Sequence, residues 1–176
     1  MNDAELARLL DGVWTHLTRG KADRRHPARH PVLATVGADG PDLRTLVLRA
    51  VDRDAARLEF HTDTASPKVA QIEADPRIAA HVWVPNARLQ IRARGSARIE
   101  AGDDALFASL PPEARANYTG PIPGTPLADV TDTPTAPRFA RLICTLTEID
   151  ALVLDDPHRR ARFAATGGWR GLRIAP

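Results

Sequence analysis

Residues 44–68 read RTLVLRAVDRDAARLEFHTDTASPK, and this stretch decides the fold. An apolar-rich run over residues 43–51 is followed by a polar turn, Asp52–Ala56, and a second run, Arg57–Thr62. Short runs rich in β-branched and apolar residues, separated by turn residues, read as antiparallel strands. Ser66-Pro67-Lys68 then opens a short helix, because Ser suits the cap and Pro the first turn; Pro76 marks its end.

The flanking sequence continues the pattern. Residues 3–19 place Leu6, Leu9, Leu10, Val13, Trp14 and Leu17 at helical spacing, with Asn2 or Asp3 as the cap. Residues 20–31 are basic and proline-broken, a loop. Val32–Val36 is a strand that turns through Gly37–Pro41 into the run at 43–51, and Arg57–Thr62 follows as the next strand of an antiparallel meander. Ile78–Val84 and Arg88–Glu100 form two more strands. In the second, Leu89, Ile91 and Ala93 share one face, and Arg88, Gln90, Arg92 and Arg94 the other. Helix is expected over Asp103–Leu110 and Pro112–Asn117, and a long loop over 118–138. Strands return over 141–154, 159–163 and 169–176. Many short strands with few helices predict a mainly β chain, a small antiparallel barrel with peripheral helices, in one domain over residues 1–176.

The bulk chemistry excludes several classes. The net charge is +2, so strong nucleic-acid binding would need clustered charge, and the arginines are spread rather than striped. Cys144 is the single cysteine, which leaves no intrachain disulfide and no Cys-rich zinc site. His26 and His30 are four apart, but Pro27 and Pro31 break the helix that would align them, so no metal is expected. No run is long and apolar enough for a membrane span or a secretory leader, and the expectation is a cytoplasmic protein. Trp14, Trp83 and Trp169 are read as core or dimer packing. No catalytic residue can be assigned.

Two of the 24 basic residues are lysines, which makes Lys68 conspicuous. A phosphate needs cationic donors, hydroxyls and free backbone N–H groups converging on it. Arg44, Thr62, Ser66 and Lys68 supply these in one stretch around a helix start. Arg49, five residues beyond Arg44, falls on the opposite face of a regular strand. It joins the same site only if the strand is bulged or a second subunit contributes.

The ordered set of motifs resembles the pyridoxamine 5′-phosphate oxidase-like family of FMN-binding split β-barrels. It comprises Arg44-Thr-Leu-Val-Leu-Arg49, Phe60-His-Thr62, Ser66-Pro-Lys-Val-Ala-Gln71, Gln90, Arg162-Phe163 and the ending Trp169-Arg-Gly-Leu-Arg-Ile-Ala-Pro176. The resemblance spans roughly residues 30–100 and 140–176. It implies a Greek-key-like FMN-binding split barrel and a homodimer with the flavin at the subunit interface. Arg44 and Lys68, helped by Ser66 and Thr62, would hold the FMN phosphate. The backbone of Thr45, Leu46, Val47 and Leu48 would run beside the isoalloxazine ring. Gln90 would hydrogen-bond the flavin, and Arg162 would reach it from the other subunit. Arg49 and His61 stand where the family has Lys and Tyr, on the cofactor side. The implied activity is hydride transfer to flavin N5 from an unidentified small molecule. The alternative is a non-catalytic flavin-, haem- or deazaflavin-binding protein of the same barrel.

The chain departs from the family on the substrate side. Leu152 stands in place of a Trp, and His158 and Arg160 replace an Arg and a His before the Arg-Phe pair. A Tyr/Arg/Ser set for the substrate phosphate has no clear match in DALFASLPPEAR. Tyr118 and Thr125 are either ligand contacts or residues of a plain surface loop.

Overall fold

The computed structural model describes residues 1–130 and 136–176. Helix α1, Asp3–Ala22, starts at a capping box. The Asn2 side chain accepts from the Glu5 N–H at 3.0 Å, and the Glu5 carboxylate accepts from the Asn2 N–H at 2.6 Å. Its apolar stripe of Leu6, Leu10, Val13, Trp14 and Leu17 is buried on the sheet. The helix runs a turn past the predicted end, because Gly20 lets its last turn pack against Ala28. A Cβ at Gly20 would lie 2.4 Å from the Ala28 carbonyl. Ala28 belongs to a 3-10 turn, Pro27–Arg29, capped by His26. His26 turns towards α1, where its Nε2 lies 3.2 Å from His16 Nδ1, rather than towards His30.

Among the described residues nine strands form one sheet. They are β1 Val32–Gly37, β2 Gly40–Thr45, β3 Ala50–Asp52, β4 Arg57–Asp63, β5 Arg77–Val84, β6 Leu89–Ala101, β7 Phe139–Val153, β8 Arg159–Ala164 and β9 Gly171–Ile174. The order is β2-β1-β5-β6-β7-β4-β3, with β8 on β7 and β9 on β8, and every pairing is antiparallel. Leu33, Leu58, Phe60, Ile91, Leu142, Leu146, Ile149 and Phe163 fill the interior with the stripe of α1. Helix α2, Pro67–Ala74, adds Ile72 to that core, and α3, Asp104–Ser109, and α4, Pro112–Arg115, lie outside it.

The predicted continuous strand over residues 43–51 is two strands, β2 and β3, at opposite ends of the sheet order. Between them Leu46–Arg49 leaves the ladder. The Leu46 N–H donates to the Pro31 carbonyl at 3.0 Å and the Leu48 N–H to the Arg29 carbonyl at 2.9 Å. Leu48 is fully buried there, so packing overrides strand propensity. The Arg49 N–H then donates to the Glu59 carbonyl on β4 at 2.8 Å. The break removes the facing conflict between Arg44 and Arg49, since the two no longer share one strand.

The longest pairing, β6 with β7, carries a register shift between Arg94 and Gly95. A bulge of this kind bends a long strand and increases its twist, which curls a sheet towards a barrel.

Candidate functional site

The groups with phosphate-binding chemistry gather where β4 runs into α2. Ser66 is the cap residue of α2, yet its side chain makes no capping bond. Its hydroxyl instead accepts a short hydrogen bond from the Lys68 ammonium, which also reaches the Thr62 hydroxyl at 3.3 Å. Among the described residues no carboxylate lies within salt-bridge distance of Lys68. Burial, and then the Arg44 guanidinium, pull its ammonium below the ordinary lysine range.

Arg44, on β2, closes the other side of a cavity of about 250 Å³ lined by Asp42, Leu43, Arg44, Ser66, Pro67 and Lys68. Its guanidinium is held at a fixed angle. Nη1 donates to the Thr35 hydroxyl at 2.6 Å, and Nη2 donates to Asp42 at 2.5 Å and to the Gln71 side chain at 3.1 Å. Two half-buried cations and the Ser66 hydroxyl around one cavity at a helix start, with the Thr62 hydroxyl bonded to Lys68 behind them, have the donor chemistry of an anion site.

Beside this cluster lies a second group. His61 meets the Phe139 ring edge-on at 4.9 Å, and Phe139 packs against Tyr118 and Phe107. Tyr118 is therefore buried in an aromatic cluster rather than lying on a plain surface loop. Arg49 Nε and His61 Nδ1 are buried and have no partner among the described residues. Two orphaned buried polar atoms on neighbouring side chains fit a bound polar ligand.

Burial, then the nearby Arg49 charge, push His61 from its ordinary 6.5 to about 4. Between those values the unfolded chain binds a proton that the folded chain refuses. Stability is therefore complete above about pH 6.5 and is lost as the pH falls towards 4, by at most about 3 kcal/mol. His16 and His26 shift in the same direction, chiefly through burial. Urea unfolding at about pH 7 and pH 4.5 is expected to show this loss, and His61→Phe to reduce it. An unchanged slope in the variant would remove His61 as a cause.

The remaining expected residues fall elsewhere on the chain. Pairing carries one row across the sheet, from Thr45 through Val32, His81, Arg92 and Asp150 to Arg162. Partners in such a row share a face, so Arg162 lies on the Thr45 face and not on the Arg44 face, five strands or about 24 Å along the sheet. Gln90 pairs with Trp83 and Leu152 on that same face. One chain thus brings Arg44, Thr62, Ser66 and Lys68 together and leaves Gln90 and Arg162 apart. Sequence reasoning missed Thr35, Asp42, Asp63 and Arg138, which hold the cluster in shape. Only Gln71 carried a signal, three residues after Lys68 on the same helix face. Of the 118–138 loop, residues 131–135 lie outside the described part; Gly124 approaches the site, with a Cβ there lying 3.8 Å from Pro67.

Comparison with known proteins gives the family. Residues 12–101 match the family model described as pyridoxamine 5′-phosphate oxidase, FMN-binding domain. The chain belongs to this pyridoxamine 5′-phosphate oxidase family. It is 30% identical to the pyridoxine/pyridoxamine 5′-phosphate oxidase of Hyphomonas neptunium, over 91% of this chain and 83% of that protein. It is 29% identical to the enzyme of the same name from Anaeromyxobacter dehalogenans, over 97% and 78%. A pyridoxamine 5′-phosphate oxidase-related, FMN-binding protein from Nostoc punctiforme superposes with a TM-score of 0.77 at 29% identity, covering 94% of this chain and 96% of that one. PhzG from Burkholderia lata shares the fold, with a TM-score of 0.71 at 18% identity, covering 98% and 91%. The fold is thus the split barrel of the oxidase family. Among the described residues no helix is long and apolar enough to cross a membrane.

Proposed function

We propose that this member of the oxidase family is an FMN-dependent oxidoreductase that works as a homodimer. The observation that carries the reading is Lys68, a half-buried ammonium with two hydroxyl partners, a neighbouring guanidinium and no carboxylate pair among the described residues. Arg44, Thr62, Ser66 and Lys68 would hold the 5′-phosphate. Leu46–Arg49, out of the ladder and anchored to Arg29 and Pro31, would lie along the ring. His61, neutral at pH 7, and Arg49 have the unpartnered atoms to meet polar edges of the cofactor. Bound flavin would supply two-electron redox chemistry; the protein's part is to orient it and to set the charge around it.

The substrate side supports a change of substrate. Arg160, at a position where the family reads pyridoxamine phosphate, is bonded to Asp150 at 2.8 and 3.0 Å. Arg92 donates to the same carboxylate at 2.7 Å. A guanidinium committed to a buried carboxylate is a poor donor for a second anion. Pyridoxamine 5′-phosphate would therefore gain less from Arg160 here than from a free guanidinium, which favours a small amine or other reductant without that phosphate. Adding FMN to the purified protein is expected to quench flavin fluorescence and give a protein-bound visible spectrum. Reductants and amines, with and without a phosphate, then report turnover by anaerobic bleaching. A protein that leaves FMN fluorescence unchanged would end this reading.

The dimer rests on the outward sheet face. Leu43, Trp83 and Leu172 are 61%, 39% and 62% exposed there. Leu43 lines a cavity of about 400 Å³ there, together with Arg92, Arg160, Arg162, Glu148 and Asp150. Apolar side chains beside arginines are the composition of an interface core. Leu172→Glu is expected to give a monomer by light scattering and to weaken FMN about tenfold, as the partner's contribution to the pocket is lost. A dimeric variant of unchanged affinity would contradict this.

A further inference from the structure

Thr62 at the end of β4 and Ser66 and Lys68 at the start of α2 flank one short connection, and its shape is set by Asp63. The Asp63 carboxylate accepts from the Ala65 N–H at 2.8 Å, and its carbonyl accepts from the Ser66 N–H at 3.0 Å and the Thr62 hydroxyl at 3.3 Å. This is an Asx-type turn, in which the aspartate folds the backbone around itself. Asp63 is buried, and a single arginine from outside the loop holds it. Arg138 Nε donates to the two carboxylate oxygens at 3.0 and 3.1 Å, and Nη2 donates to Oδ2 at 2.9 Å. The Arg138 carbonyl accepts from the Thr64 N–H at 2.8 Å. On its other side Arg138 Nη2 donates to the Gly120 carbonyl at 2.7 Å and its N–H to the Tyr118 carbonyl at 2.8 Å.

We propose that Arg138 is a positioning residue for the cofactor phosphate. Through Asp63 it holds the connection in the conformation that aims two hydroxyls and one ammonium at a single anion. The inference rests on the FMN reading above. None of the hydrogen bonds made by the Arg138 side chain goes to Thr62, Ser66 or Lys68, so its effect on a phosphate passes through Asp63.

Fixing a loop residue before binding spares an ordering cost on association. The planar guanidinium fork suits this task better than a lysine would.

The test uses the full-length protein, titrated with FMN and with riboflavin, which lacks the phosphate. Arg138→Gln is expected to weaken FMN at least about tenfold and to change riboflavin by less than about twofold. Arg138→Lys is expected to recover part of the FMN loss, because it restores the charge without the fork. Equal loss for both ligands, or unchanged FMN affinity, would overturn the proposal, since a merely structural role moves both ligands alike. Asp63→Asn keeps the turn acceptor but removes the charge, and it is expected to show the same phosphate-selective loss. If Arg138→Gln does not fold, Asp63→Asn decides on the same criteria. A wild-type protein with no preference for FMN would take down the phosphate reading and this inference together. A wild-type preference that both variants retain would take down the inference alone.

Discussion

Lys68→Met is expected to weaken FMN binding by about one to two orders of magnitude while leaving the ligand-free protein as stable as before, or more stable. The affinity loss follows from one charge-assisted hydrogen bond to a phosphate, worth about 1.5–3 kcal/mol. The stability gain has a different origin. Burial and the Arg44 charge lower the folded-state pKa of Lys68, so at neutral pH the protonated ammonium costs folding free energy. That cost is complete below the folded pKa and fades as the pH rises towards the ordinary lysine value. A methionine keeps the apolar stem and removes the charge. Affinity and stability therefore move in opposite directions, as expected of a residue retained for binding. Titration by flavin fluorescence and a thermal melt of the ligand-free protein measure the two arms. A variant that loses stability and keeps its affinity would mark Lys68 as structural.

The largest effect on folding is expected at Gly95, where Gly95→Ala should cost about 3 kcal/mol or more. A Cβ built there lies 2.0 Å from the Thr145 carbonyl oxygen and 2.9 Å from Leu146 Cα. Both obstacles are backbone in the middle of β7, so no side-chain rotation relieves them. Forcing atoms into a packed interior costs 1–3 kcal/mol when side chains can give way, and more when they cannot. For a chain of this length each kcal/mol lowers the melting temperature by about 2–4 °C, so a drop of roughly 6–12 °C is expected. The bulge at Gly95 sits in the pairing that curves the barrel, and β7 carries β4, on which Thr62 stands. Flavin affinity should fall with stability in this variant. That contrasts with Lys68→Met and separates a scaffold residue from a ligand residue.

The contrast between these positions also shows what the sequence could reveal. The strands were legible wherever apolar and polar residues alternate, as in Leu89–Arg94, where Leu89, Ile91 and Ala93 are buried and Arg92 and Arg94 exposed. The helix start at Ser66-Pro67 was legible because capping chemistry is local. The break at Leu46–Arg49 was not. Its residues are as apolar as a strand, and what draws them out of the ladder is a set of bonds to Arg29 and Pro31. Residue type marked Arg44 and Lys68, but the groups that orient them come from distant places. Thr35 stands on the neighbouring strand, and Arg138 lies 75 residues beyond Asp63. Contacts of that separation leave no periodic signal. Likewise the unused cap at Ser66 is visible only once Lys68 is seen to take its hydroxyl.

The central claim is that the cavity between Arg44 and Lys68 receives a flavin phosphate. Titrating the wild-type protein with FMN and with riboflavin under identical salt tests it most directly, since the two ligands differ only in that group. The account predicts that FMN binds at least about 100-fold more tightly, from two charge-assisted contacts to the phosphate. Equal affinities for the two flavins would contradict it.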